Sequence, residues 1–159
     1  MKINIITVGK IKEKYFTDAI NEYSKRLSKY CDLKIFEVQD EKTPDKASAA
    51  IEEQIKDTEG ERILKVLNKD SYIITLEIEG KSIDSVSLAK EISDIATYKN
   101  STITFIIGGS LGLSNNIKAL SNYKLSFSKM TFPHQLMRVI LLEQIYRAFR
   151  INSNEPYHK

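Results

Sequence analysis

Three short, nearly unbroken apolar and β-branched runs, Lys2–Val8 (KINIITV), Ser71–Leu76 (SYIITL) and Ile103–Ile107 (ITFII), recur along the chain with helix-like segments between them. Such runs suit strands covered on both faces, and strands of that kind belong to parallel sheets sandwiched by helices. Asp32–Val38 (DLKIFEV) alternates as a further strand, and Tyr123–Phe127 makes a short fifth one. Between them, Tyr15, Phe16, Ala19, Ile20, Tyr23 and Leu27 recur at helical spacing within Lys12–Lys29. Lys46–Leu67 reads as a charged helix whose buried face is Ile51, Ile55, Ile63, Val66 and Leu67, with Gly60 weakening its middle. Ser85–Tyr98 is a third helical pattern, and Pro133 fits the first turn of a fourth, His134 to Phe149. The repeating strand–helix order predicts an α/β fold: a single-domain parallel-type sheet flanked by helices, spanning residues 1–159.

A chain of 159 residues buries roughly two-thirds of its unfolded surface without help from disulfides or metals. The opening MKINIITVGK has too short an apolar run for a signal peptide, and no stretch reaches the ~18 apolar residues of a membrane span, so a cytosolic protein with no membrane partner is expected. The single cysteine, Cys31, reads as a packed core or boundary thiol. His134 and His158, the only histidines, lack companions at metal-ligand spacing, so no metal is implied. Neither G-x-S-x-G nor a dinucleotide or phosphate-loop pattern occurs, which leaves serine hydrolysis and nucleotide triphosphate binding unsupported.

The chemistry is concentrated in the last third. Gly108-Gly109-Ser110-Leu111-Gly112 follows a strand, so the backbone there can approach a ligand closely. A second strand exit, Phe127-Ser128-Lys129-Met130-Thr131-Phe132-Pro133, offers amides and hydroxyls beside apolar walls, a mixture suited to an adenine ring and a thioether. Two loops of this kind at neighbouring strand ends predict a bound cofactor. The net charge of +3 is too small to announce a nucleic-acid binder, but from Ser121 onward bases outnumber acids, which fits an anionic partner as well as it fits a solvated basic face. Tyr157 and His158 stand on a terminus with little packing reason to carry an aromatic and a titratable group.

The chain resembles the SPOUT-class ribosomal RNA methyltransferases, and within them the RlmH family that methylates a pseudouridine of 23S rRNA. The resemblance runs essentially end to end: Val8-Gly9-Lys10-Ile11-Lys12, Glu22-Tyr23 in the Tyr15–Tyr30 helix, Leu76-Glu77-Ile78-Glu79-Gly80-Lys81, Phe105-Ile106-Ile107-Gly108-Gly109-Ser110, Leu125–Arg138, Glu143–Ala148 and Tyr157-His158. It implies a trefoil knot in the C-terminal half, a homodimer, and S-adenosylmethionine (SAM) as methyl donor without a metal. The substrate it implies is N3 of a pseudouridine in 23S rRNA, within the large subunit or the 70S ribosome. Carried onto this sequence, cofactor positions fall at Leu76, Gly108, Gly109, Phe127, Ser128, Lys129, Met130, Thr131 and Phe132, and catalytic positions at Arg147, Tyr157 and His158. In that scheme His158 is the candidate base for the N3 proton, Arg147 stabilises charge, and Tyr157 packs on or hydrogen-bonds the nucleobase. A non-catalytic RNA-binding factor of the same fold and a transfer-RNA methyltransferase of the same class are the alternatives.

Overall fold

The computed structural model describes residues 1–159. Five strands, β1 (Lys2–Val8), β2 (Asp32–Val38), β3 (Tyr72–Ser82), β4 (Thr102–Ile107) and β5 (Tyr123–Ser126), form one sheet in the order β2-β1-β4-β3-β5, every pair parallel. The helices are α1 (Lys14–Leu27), α2 (Ala49–Val66), α3 (Ser85–Tyr98), α4 (Asn115–Ala119) and α5 (His134–Asn152). The sheet is covered on both faces, as the apolar runs require: Ile3, Ile5, Ile74, Ile103 and Phe105 join α1, α3 and α5 on one side, while Ile6, Val8, Ile73 and Ile106 join α2 and α4 on the other. Alternate residues of each strand face opposite layers, and burying each such side chain fully contributes about 1.5–3 kcal/mol. Side chains of Ser48, Asp84 and Ser114 accept the first free amides of α2, α3 and α4.

Three sequence expectations need correction. The buried face of α2 is Ile55, Glu59, Gly60 and Ile63, with Leu67 just beyond its end, whereas Ile51 and Val66 are exposed. Gly60 does not weaken a free helix there. It permits a close approach, because a Cβ at that position would lie 2.6 Å from the Ser114 hydroxyl. Second, β3 continues six residues past Leu76. Its path arches outward, so that Leu125 pairs first with Leu76 and again with Lys81, and a Cβ on Gly80 would come within 2.8 Å of the Lys124 backbone. Third, Pro133 is the N-cap of α5 rather than its first-turn residue, and the helix runs on to Asn152. The short helix α4 was not anticipated, since five residues carry too little periodicity to register.

Arg138 of α5 is 1% exposed and fastens the helix to the sheet, donating to Glu37 Oε2 at 2.6 Å and to the Gly9 carbonyl at 3.1 Å. Glu37 also accepts the Ile11 amide, and Gln135 accepts that of Lys12, so the loop after β1 is held against the start of α5. Gly9 has φ +94°, a conformation that favours glycine, and a Cβ there would also strike the His134 ring at 2.9 Å. Cys31 is half-buried and burial pushes its thiol up to about 11, in keeping with a boundary thiol. No helix is long and apolar enough to cross a membrane.

Candidate functional site

At the C-terminal ends of β3, β4 and β5 the chain leaves a cleft of about 680 Å³, the size of a small-molecule site. Of the nine positions carried over for the cofactor, eight line it: Leu76, Gly108, Gly109, Phe127, Ser128, Met130, Thr131 and Phe132. Lys129 does not line it and points its exposed side chain elsewhere. The glycine segment closes as a tight turn in which Gly112 donates to the Gly109 carbonyl at 3.1 Å and itself has φ +87°. A Cβ on Gly108 would lie 2.8 Å from the carbonyl carbon of Gly112, so any larger residue must open the turn. Across the cleft, the Ser126 hydroxyl donates to the Ile78 carbonyl at 2.9 Å, tying the β3 arch to the following loop. Ser128 Oγ accepts the Met130 amide at 3.0 Å and shapes that loop in turn.

Sequence reasoning missed two contributors, His134 and Glu77. His134 lines the cleft beside Met137; burial and the nearby Arg138 guanidinium hold its imidazole below the ordinary value, and its Nδ1 is buried without a partner. Glu77 reaches the cleft while accepting the Thr75 hydroxyl at 2.6 Å. Nothing in a lone histidine after a proline, or a glutamate past a strand's apolar run, distinguishes such residues from solvated ones.

Arg147, Tyr157 and His158 do come together, but none lines the cleft. Glu143 organises them, accepting from Arg147 Nε at 2.8 Å and from the Tyr157 hydroxyl at 2.8 Å. The i, i+4 spacing of Glu143 and Arg147 on a helix was the signal available for this pair. Arg147 lies over the Tyr157 ring at 4.7 Å, and Arg150 stands 5.8 Å from both that ring and the Tyr146 ring. Tyr157 meets Tyr146 edge-on with centroids 5.0 Å apart. Burial first, then Glu143, raises the Tyr157 phenol above its usual value, while burial carries that of neighbouring Tyr23 to about 12. Tyr157 is therefore a packed residue with a covered face, contrary to the expectation that the terminus has no packing reason for it. The segment before it is tethered as well: Glu155 accepts from Tyr30 at 2.7 Å and pairs with Arg150 at 2.9 Å.

Arg147 Nη1 lies 3.2 Å from His158 Nδ1. A guanidinium only donates, so a hydrogen bond across this contact has Nδ1 as acceptor and the ring N–H on Nε2. The exposed nitrogen of His158 is thus a donor here. It can stabilise negative charge on a ligand, and to act as a base it would first have to leave Arg147.

Along α5, the ten residues from Met137, the last cleft residue on the helix, to Arg147 rise by about 15 Å. Reacting atoms must approach to about 3–3.5 Å, so the cleft and the Arg147 cluster of one chain do not meet at a single reaction centre.

The chain is matched end to end by known proteins. The family model described as Predicted SPOUT methyltransferase matches residues 1–158. Ribosomal RNA large subunit methyltransferase H of Bifidobacterium adolescentis is 62% identical over 159 residues, covering 100% of both chains. The protein of the same name from Clostridium acetobutylicum is 58% identical, again over 159 residues and 100% of both. Among solved structures, a Legionella pneumophila protein with the cofactor SAM bound is similar at a TM-score of 0.50 over 93% of this chain and 66% of that one; at 11% identity the likeness is one of fold alone.

Proposed function

The chain belongs to the SPOUT methyltransferase family, and on that premise we propose that it transfers a methyl group from SAM to N3 of a pseudouridine in 23S rRNA, on the large subunit or assembled ribosome. The observation that carries the donor site is the convergence of Leu76, Gly108, Gly109 and the Phe127–Phe132 loop on one cleft. Its residues fit the donor: the glycine turn exposes backbone, and Leu76, Phe127, Met130 and Phe132 give apolar walls for an adenine and a sulfur. When bound, SAM supplies the methyl on a sulfonium, which needs no metal to react.

The chain's own residues have then to orient the acceptor and accommodate the charge left when N3 loses its proton. Arg147 and the Nε2 donor of His158 suit that second task as paired donors, with Glu143 and Tyr157 positioning Arg147. This assigns His158 charge stabilisation in place of proton removal.

The separation of about 15 Å along α5 from Met137 to Arg147 favours a homodimer, in which the Arg147 cluster of one copy serves the cleft of the other. Surface supports it: Leu136, Val139 and Ile140 on α5 remain only half-buried, and Met130 is 74% exposed at the cleft rim. Residues 1–159 then act as one knotted, cytoplasmic domain.

Ribosomal subunits from a strain lacking the gene, incubated with the protein and labelled SAM, are expected to gain one methyl on a pseudouridine of 23S rRNA by mass mapping. Label on another nucleotide, or none, would overturn the substrate. Light scattering at micromolar concentration is expected to give twice the 18.2 kDa chain mass, and a monomeric mass would remove the shared site.

A further inference from the structure

Glu59 of α2 is 4% exposed, and no step above uses it. Its carboxylate sits directly behind the glycine turn: a Cβ built on Gly109 would lie 3.1 Å from both Oε1 and Oε2. One hydrogen bond reaches it, from the Glu41 amide at 3.0 Å. The charged groups around it are Asp40 and Glu41 on the loop after β2 and Arg62 on its own helix, while β1 presents only Val8. Arg62 is engaged by the Glu41 carboxylate and by the Gln39 carbonyl, so it makes no ion pair with Glu59. Burial, opposed by the Glu41 amide and reinforced by Asp40, raises the Glu59 carboxyl above its ordinary value. A buried carboxylate that makes no ion pair is costly unless a positive charge arrives from elsewhere. The backbone of Gly109, against which it packs, lines the cleft wall.

We propose that Glu59 is the specificity-determining residue by which the cleft distinguishes the cationic sulfonium donor from its neutral thioether product. The inference rests on the cleft being the SAM site. Donor and product, S-adenosylhomocysteine (SAH), differ by a methyl group and one positive charge. In an effective dielectric of about 20 or somewhat higher, two unit charges separated by on the order of 8 Å change affinity on the order of ten- to thirtyfold. The methyl alone is worth far less, about a few-fold at most. Loss of the charge on transfer therefore loosens the spent product while the apolar walls still hold its adenine.

Calorimetry with SAM and SAH separates this role from a structural one. Glu59→Gln keeps the side-chain volume and the oxygen that accepts the Glu41 amide. It is expected to weaken SAM on the order of ten- to thirtyfold and leave SAH within about twofold. Equal losses for both ligands, or no loss, would overturn the assignment. Should the variant fail to fold, the unmodified protein gives the same answer: its SAM-to-SAH affinity ratio is expected to fall with pH through the raised Glu59 value. It should do so in His134→Gln as well, which removes the other titratable neighbour of the cleft wall. A ratio that does not change as acid protonates Glu59 would overturn it too. Failure of the unmodified protein to bind either ligand would instead overturn the donor site itself, and Glu59 with it.

Discussion

The cleft and the Arg147 cluster are built from opposite materials. The cleft is made of strand ends and bare backbone: glycines, a turn, an arch, and apolar side chains that need only volume and shape. The cluster is made of side chains alone, Glu143, Arg147, Arg150, Tyr157 and His158, cross-linked by hydrogen bonds and by cations over rings. Backbone sites fail abruptly when a side chain is added, because a Cβ 2.8 Å from neighbouring backbone has nowhere to go. Side-chain sites lose function in steps, since each partner that is removed leaves others in place.

The sharpest break should come at the turn. Gly108→Val is expected to reduce SAM affinity more than about a hundredfold by calorimetry, because the turn must open to admit the branch. An unchanged affinity in a folded protein would show that the cleft is not held by this backbone. Next in size, His158→Ala is expected to slow ribosome methylation on the order of a hundredfold at unaltered SAM affinity. His158→Gln should recover part of that rate, because it restores a donor; recovery by no donor-bearing residue would return His158 to the role of base.

Smaller still, Tyr157→Phe removes the bond to Glu143 while leaving the ring packed, and is expected to lower stability by about 1 kcal/mol, roughly 2–4 °C in Tm. A loss of methylation with no thermal shift would mean that the hydroxyl serves the substrate rather than Arg147. The smallest effect concerns the tether. Glu155 is held below its ordinary value, first by Tyr30, then by Lys29 and Arg150. Its contribution is fully present above the usual glutamate range and is lost as pH falls through the lowered folded value. Amide exchange of residues 153–159 is expected to quicken over that acid window, and an acid-insensitive segment would detach Glu155 from the tether.

The same contrast explains what could be read from the residues alone. β1, the first half of β3 and β4 are legible because strands covered on both faces have to be apolar on both, and β2 is legible by its alternation. The glycine turn and the Phe127–Phe132 loop, which the structure places on the wall of one cleft, are legible because backbone exposure leaves a compositional mark. The continuation of β3 through Glu77, Glu79 and Lys81 was not, since residues that line a cleft look like a polar loop. Nor were the buried charges of Glu59 and Arg138, whose burial depends on what the fold packs against them and leaves no trace in sequence spacing. The cluster was seen as a set of residues but misjudged as an unpacked end, because Tyr157 is covered by helices that precede it by ten residues and more.

The position of β1 bears on how such a molecule comes into being. The first of the five strands in chain order lies inside the sheet, and register pairs Lys2 with Asp32 on one edge and with Thr102 on the other. Its second edge stays open until two-thirds of the chain has been synthesised, and closing it joins segments of high sequence separation, the kind of contact that slows folding. A nascent chain cut short before β4 carries a bare apolar strand with no stable resting state, and is a target for chaperones and proteases. Once β4 has docked, no edge of β1 remains to peel away, so the amino-terminal half and the cleft-forming half unfold together or not at all.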